Sequence, residues 1–477
     1  MDKKFYITTT LPYVNAKPHI GFALEIVQAD VVARFKKSEG YDMFFNTGTD
    51  EHGQKIYQKA LEESKDPQKY VDEYAAKFDI LKEKLNLTYN NFIRTTDPHH
   101  KKAAQEIWNL CLKNGFIEKG IYKTKYCVGC ELEKQESELE NGVCPIHPNL
   151  KIEEIEEENY FFKFSKFGEK LLKLYKDYPD FVVPKHRLTE VENFVKGGLQ
   201  DFSISRLKEK MPWGVPVPGD DKHVMYVWFD ALTNYISCLG WPEDTQKFEE
   251  YWGTKENPQA LQVAGKDNLR QQSSMWQAML LAAGLPTSRQ IFIHGFITAN
   301  GQKMSKSLGN VIDPIEYVDK YGTDALRYYL LAKISPAEDS DFTKEKFEEA
   351  YNGELANGLG NLVSRVAKLC ENSSLEFPSI EVENDKKIGN FINSFQFDLA
   401  LKTVWEEITQ TDQFISEEKP WELKDENLKR VLEHSVDHIR TIANNLKPFL
   451  PKTAETIESQ FKGPKIAAST PLFPRLK

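Results

Sequence analysis

Residues 3–35 read KKFYITTTLPYVNAKPHIGFALEIVQADVVARF, and this stretch decides the fold. Its first eight residues, Lys3 to Thr10, are rich in β-formers and predict a strand. Leu11 to Lys17 carries Pro12 and Asn15 and runs into Pro18, which predicts a loop. From Ile20 to Glu39 apolar residues recur at helical spacing (Leu24, Val27, Val31, Ala33, Phe35) until Gly40 stops the helix. Residues 42–47 return to a strand. Strand, loop, helix and second strand form the unit from which parallel, doubly wound sheets are built.

The pattern returns further on. Leu261 to Ala264 predicts a strand, Leu269 to Ala283 a helix, and Ile291 to Ile297 another strand that ends in a turn at Asn300-Gly301. Between the two α/β halves, residues 119–222 hold a cysteine cluster, an acidic run and short aromatic strands such as Tyr160 to Phe164, and read as an insertion. After about residue 345 strand signals vanish. Helical patterns continue to the end, with breaks near Pro378, Pro420 and Pro448. The expected fold is α/β: a doubly wound parallel sheet with an insertion and a C-terminal α-helical bundle.

Composition bounds the rest. The chain has 477 residues, 40% hydrophobic and 12% aromatic, which supports packed cores and excludes wholesale disorder. No run of 18 apolar residues exists, so no transmembrane helix is expected. Met1-Asp2-Lys3-Lys4 leads into Thr-rich sequence rather than an apolar targeting region, and a cytoplasmic location is expected. The net charge is −10, but residues 131–158 alone hold ten Glu and two Lys, which read as a solvated surface. Residues 421–477 hold ten Lys/Arg against seven Asp/Glu, so global charge does not exclude a nucleic-acid partner.

Three of the six cysteines fall within 18 positions. Cys127-Val128-Gly129-Cys130 is followed, after thirteen residues, by Cys144-Pro145-Ile146-His147. Two knuckles with two-residue gaps match a tetrahedral zinc site of three thiolates and one imidazole. All four positions are filled, so the expected metal is structural. Cys111, Cys238 and Cys370 show no partner pattern and read as buried thiols.

Two other motifs suit phosphate. Pro18-His19-Ile20-Gly21 opens the first helix, whose unpaired N–H groups and partial positive charge favour an anion. Gly21 allows close backbone approach, and His19 can donate to a phosphate oxygen. About 285 residues later, Lys303-Met304-Ser305-Lys306-Ser307 offers two ammonium groups and two hydroxyls within five residues. Such groups can follow charge as it develops on a transferring phosphate. Each motif alone is ordinary.

Together they carry a resemblance. The pair is that of class I aminoacyl-tRNA synthetases. Leu11-Pro12-Tyr13-Val14-Asn15, Gly48-Thr49-Asp50-Glu51-His52-Gly53, Trp228-Phe229-Asp230-Ala231 and Gly265-Lys266-Asp267 narrow it: nearly the whole chain resembles the methionyl-tRNA synthetases. The resemblance implies a Rossmann-like catalytic domain over 1–118 and 223–325. It implies a connective insertion over 119–222 with a zinc knuckle at about 124–150, a stem-contact linker over 326–345, and an anticodon-binding bundle over 346–477. It implies a ligase that joins L-methionine to tRNA(Met) with ATP, Mg²⁺ and structural Zn²⁺, acting as a monomer. His19, Lys303 and Lys306 would be catalytic. ATP would meet His19, Gly21, Gly265, Asp267, Lys303, Ser305 and Lys306. Methionine would meet Leu11, Tyr13, Asp50, Trp228, Ala231, Tyr235 and Gln272. Asn361 and Arg365, four apart on one helix face, and Trp421, able to stack a base, would read the anticodon.

Three positions depart from the family pattern. Phe22 stands where a second histidine is usual. Asn268 and Gln272 stand where an isoleucine and a histidine are usual. Two other readings are weighed. A class I synthetase for another amino acid is disfavoured by the lack of room for an editing insertion and by the filled, contiguous knuckle. A catalytically inactive RNA-binding protein is favoured by Phe22 and disfavoured by the intact lysine motif.

Overall fold

The structure is a computed structural model that describes residues 3–130, 132–134, 138–304 and 309–476. The chain divides into two compact units. One is Met1–Pro18, Asp42–Ile80 and Tyr89–Ile293; the other is His19–Tyr41, Leu81–Thr88 and His294–Lys477.

The first unit is built on a six-stranded sheet. Its strands are β1 (Lys4–Thr9), β2 (Asp42–Thr49) and β3 (Asn91–Arg94), with three more from later in the chain. Between them come β4 (Ile117–Cys127), β5 (Leu132–Lys134), β6 (Glu153–Phe162), β7 (Val182–Val183), β8 (Phe202–Ser203), β9 (Ser205–Leu207), β10 (Pro216–Val217) and β11 (Asp220–Met225). The α/β pattern resumes at β12 (Leu261–Gly265) and β13 (Gln290–His294). The large sheet runs in the order β3-β2-β1-β12-β13-β7, with β1 parallel to β2 and to β12, and β2 parallel to β3. All five residues of β12 are buried, the signature of a strand covered on both faces. The strand order reverses between β1 and β12, so the loops leaving their carboxyl ends open the crevice where doubly wound sheets bind ligands.

The insertion forms its own antiparallel sheet, in the order β5-β4-β6-β8. The long pair β4–β6 is registered from Ile117↔Phe162 to Tyr126↔Glu153. The acidic run is therefore only partly a solvated surface. Much of it is β6, where Glu158 pairs with Lys119 at 3.0 Å and buried Glu157 pairs with Lys210 at 2.8 Å.

In the second unit the Ile20–Ser38 helix ends where expected, with Gly40 at φ 82°. The expected strand from Ile291 to Ile297 is split. β13 ends at His294, and β14 (Ile297–Ala299) joins a separate sheet between β15 (Gln302–Lys303) and β16 (Ser340–Phe342). A Cβ on Gly295 would lie 2.2 Å from the Glu338 carbonyl, so the chain bends there around a neighbouring segment. Asn300 and Gly301 both have positive φ and form the two-residue hairpin turn between β14 and β15. Among the described residues no strand follows β16. Helices Asn361–Ser373, Phe397–Glu418, Asp425–Leu446 and Pro451–Gln460 bury Val363, Val404, Val436 and Ile457, one from each. Cys111, Cys238 and Cys370 are buried, as expected. No helix of the described residues is long and apolar enough to cross a membrane.

Candidate active site and metal centre

The loop after β1 and the end of β2 are locked together in the first unit. Tyr13 bridges Asp50 in parallel fashion; Asp50 N–H donates to Pro12 O at 3.0 Å and Val14 N–H to Asp50 O at 3.2 Å. A Cβ on Gly53 would lie 2.5 Å from the Tyr13 hydroxyl and push it aside, and the φ of 110° there favours glycine. Asp50 is buried. The next residue, Glu51, is fully buried and held by a bidentate Arg94 at 2.7 and 3.0 Å, by Thr49 at 2.6 Å and by Thr96.

Trp228 and Ala231 lie on the short Val227–Ala231 helix and Tyr235 on the Asn234–Ser237 helix. Leu11 and Trp228 are half-buried against the same apolar core that contains Tyr235. Gln272 donates to the Tyr235 hydroxyl from a π-helical turn, Gln271–Met275. Insertions of this kind recur at functional sites. The Gln272 side-chain Oε1 is buried without a hydrogen-bond partner, whereas its backbone carbonyl accepts from Gln277 at 2.8 Å. At the end of β12, buried Gly265 leads into Lys266–Asn268, where Asp267 is exposed and Asn268 reaches it at 3.4 Å.

In the second unit His19 is the N-cap of its helix, and its Nδ1 accepts the Gly21 N–H at 3.1 Å. The bond places the ring proton of the neutral imidazole on Nε2, which makes Nε2 a donor. Phe22 is buried and brings no donor. The first phosphate-type motif meets the segment that follows the second. Ile20 N–H donates to Ile312 O at 3.0 Å, and the Asn310 side chain donates to Lys303 O at 3.2 Å. Lys303 is exposed at the end of β15. Ser305 and Lys306 lie outside the described residues.

Sequence reasoning missed several buried groups. Glu25, one turn into the same helix, meets His294 Nε2 at 3.0 Å, and His294 Nδ1 faces Gly295 O at 2.7 Å. Asp230 takes His52 at 2.6 Å and His100 at 2.8 Å. The signal for the latter was an acid amid the apolar run Val227 to Leu232. Nothing in the sequence tied it to His100.

Cys127, Cys130, Cys144 and His147 converge, with one ligand atom from each within 4.8 Å of the others. Cys130 Sγ is 3.5 Å from Cys144 Sγ and 3.2 Å from His147 Nδ1; Cys127 Sγ is 3.9 Å from that nitrogen. Bond lengths of about 2.3 Å to sulfur and 2.0 Å to nitrogen imply tetrahedral edges of about 3.5–3.8 Å, so the cage fits zinc. A Cβ on Gly129 would sit 2.5 Å from the His147 ring, so glycine there lets the imidazole close the cage. This set can hold a metal, with no position left open for water.

In the helical bundle Arg365 lies 5.2 Å over the Trp421 ring and is anchored to Asp412 at 3.0 Å. Trp421 is 55% exposed, unlike a core residue, and Asn361, one turn before Arg365, is exposed too.

The description "tRNA synthetases class I (M)" belongs to a family model that matches residues 5–149 and 129–367. The methionine–tRNA ligase of Thermotoga maritima is 42% identical over 476 residues, 95% of this chain and 74% of that one. That of Brucella suis is 38% identical over 99% of this chain and 98% of its own length. The solved structure of Mycobacterium tuberculosis methionyl-tRNA synthetase in complex with methionyl-adenylate has a TM-score of 0.92 at 33% identity. It covers 99% of this chain and 100% of its own. By this family model, these relatives and this structural match, the chain belongs to the methionyl-tRNA synthetase family of class I aminoacyl-tRNA synthetases.

Proposed function

We infer that this chain activates L-methionine with ATP and passes the methionyl group to tRNA(Met). The methionine carboxylate attacks the α-phosphorus of ATP, the bond to the β-phosphate breaks, and pyrophosphate leaves. A ribose hydroxyl at the tRNA 3′ end then attacks the acyl carbon, and AMP leaves. No side-chain nucleophile is needed, so catalysis is positioning plus stabilisation of charge.

Asp50 holds the substrate ammonium by a charge-assisted bond. Leu11, Tyr13, Trp228, Ala231 and Tyr235 enclose the side chain, with Gln272 directing the Tyr235 hydroxyl. Gly265 and Asp267 border the nucleotide. His19 Nε2 and the helix N-terminus, approached through Gly21, receive phosphate, and Lys303, Ser305 and Lys306 stabilise the phosphorus centre and the departing pyrophosphate. Mg²⁺ accompanies ATP and screens its phosphates. Zn²⁺ bound by Cys127, Cys130, Cys144 and His147 supports the fold of the insertion. Asn361, Arg365 and Trp421 meet the anticodon. The enzyme works as a cytoplasmic monomer, with domain boundaries near residues 118, 222, 325 and 345.

The observation that most supports this reading is that the helix opened by the first motif bonds the segment just after the second, about 285 residues on: Ile20 N–H meets Ile312 O, and Asn310 of that segment bonds Lys303 O. ATP–pyrophosphate exchange across the twenty amino acids tests it, with and without zinc chelation. Exchange with methionine alone is expected. Exchange with another amino acid overturns the substrate. No exchange in folded, zinc-loaded protein, with tRNA present or absent, overturns the enzyme in favour of an RNA-binding protein.

A further inference from the structure

We propose that Asp230 and His52 are positioning residues for the amino-acid pocket, members of a buried chain that sets where Asp50, Trp228 and Tyr235 stand. The inference rests on the reading that Asp50 holds the substrate ammonium.

The chain has four members, three on separate helices and His52 on the loop after β2. Asp230 lies on the Val227–Ala231 helix, between Trp228 and Ala231. Its Oδ2 meets His52 Nδ1 at 2.6 Å, and its Oδ1 meets His100 Nε2 at 2.8 Å. His100, on the Pro98–Lys113 helix, places Nδ1 2.9 Å from the hydroxyl of Ser237. Ser237 shares its short helix with Tyr235. Asp230, His100 and Ser237 have no exposed surface, and His52 is 2% exposed.

Their arrangement is costly if it serves only to fill space. Burial alone would push the Asp230 carboxyl up, but the His52 and His100 imidazoles hold it at about 2, so a carboxylate sits in the core at neutral pH. A buried, hydrogen-bonded ionic group is commonly no better for stability than apolar packing of the same volume. What it adds is direction, because each bond has a fixed geometry. His52 is two residues from Asp50, and its ring packs edge-on to Trp213 at 5.7 Å. Trp213 in turn donates to Glu51 O at 2.6 Å, while Arg94 grips the Glu51 carboxylate. Residues 50–52 are thus held from the Arg94 side and from the Asp230 side. Tyr13 is laddered to Asp50 along the third side. With the His52–Asp230 bond cut, the Asp50 segment and the Trp228 helix lose their direct polar link.

The test is pyrophosphate exchange on full-length, zinc-loaded variants, reading KM for methionine, KM for ATP, kcat and melting temperature. Asp50→Asn examines the underlying reading and should raise the methionine KM. His52→Leu removes the Nδ1 donor while filling similar space. It should raise the methionine KM about 10–100-fold, the range for misplacing a binding group by about an ångström, with the ATP KM within about twofold. His52→Asn restores a donor at the Nδ1 position and should recover most of the loss. Equal losses in His52→Leu and His52→Asn, or a fall that tracks melting temperature and affects both substrates alike, overturn the proposal. An Asp50→Asn variant with unchanged methionine KM overturns the reading beneath it instead. If His52→Leu does not fold, the near-isosteric Asp230→Asn carries the test. It breaks one of the two imidazole bonds and should show the same split between methionine and ATP; no split overturns the proposal.

Discussion

Replacing Gly21 with alanine separates catalysis from stability. Gly21 is the second residue of the Ile20–Ser38 helix, and its N–H donates to His19 Nδ1 at 3.1 Å. A methyl group there would stand 3.0 Å from His19 Cε1 and 3.1 Å from Nδ1. Carbon contacts want about 3.5–4.0 Å, so the ring must retreat by about 0.5 Å. That stretches the bond to about 3.6 Å, outside hydrogen-bond range, and frees the imidazole to change orientation and tautomer. Outright loss of one donor to a developing charge costs about 100–1,000-fold. A donor displaced by about 0.5 Å keeps part of its effect, and the expected loss in methionine-dependent pyrophosphate exchange is about 10–100-fold. Stability should change little, because alanine's advantage over glycine in a helix, up to about 1 kcal/mol, is offset by loss of the N-cap bond, which costs about as much. Exchange kinetics and thermal unfolding are measured on the same preparation. Exchange within about twofold of the parent would refute the reasoning, as would a loss matched by a lower melting temperature.

Elemental analysis should find one zinc per chain, and Cys144→Ser should lose it together with protease resistance in residues 127–150, since structural zinc supplies folding energy outright. Acid titration of stability should reveal Asp230. Its carboxyl is depressed from the ordinary value to about 2 in the folded chain, so its contribution is complete above about pH 4. It is lost as pH falls toward 2, about 2 kcal/mol in all. Asp230→Asn should abolish that part of the pH dependence; an unchanged acid transition would exclude Asp230 as its source. Trp421→Ala should raise the KM for tRNA about 5–150-fold, the equivalent of about 1–3 kcal/mol of base stacking, while tRNA-free exchange keeps its rate. Unaltered charging kinetics would remove Trp421 from the anticodon contact.

Legibility in the sequence followed range. The β1–helix–β2 unit could be read within a residue or two at most boundaries, because alternation and helical spacing record which faces are buried. The four candidate metal ligands could be read for the same reason: two-residue gaps set each Cys or His pair locally, and the structure needed only to bring two knuckles together. The strand expected through Gly295 failed because the segment that bends it, at Glu338, is 43 residues away and leaves no mark on the local pattern. Trp421 could not be placed inside or outside by its type, since an indole suits either; the fold left it on the surface under Arg365.

The sequence by itself determined the α/β repeat, the inserted cage, the helical C-terminal part and the family, since each is written in short-range spacing or in contiguous motifs. Only the tertiary structure decided which polar residues the core would hold and which partners they would meet. Asp230 lies 178 positions from His52 and 130 from His100. Glu25 finds His294 across 269. A carboxylate in an apolar run is a defect until its partners are known, because burial disfavours the charge and only specific donors restore it. Those donors arrive from elements that chain order does not relate. The packing of helices and loops around the end of the sheet determines whether such an acid is a fault or a brace.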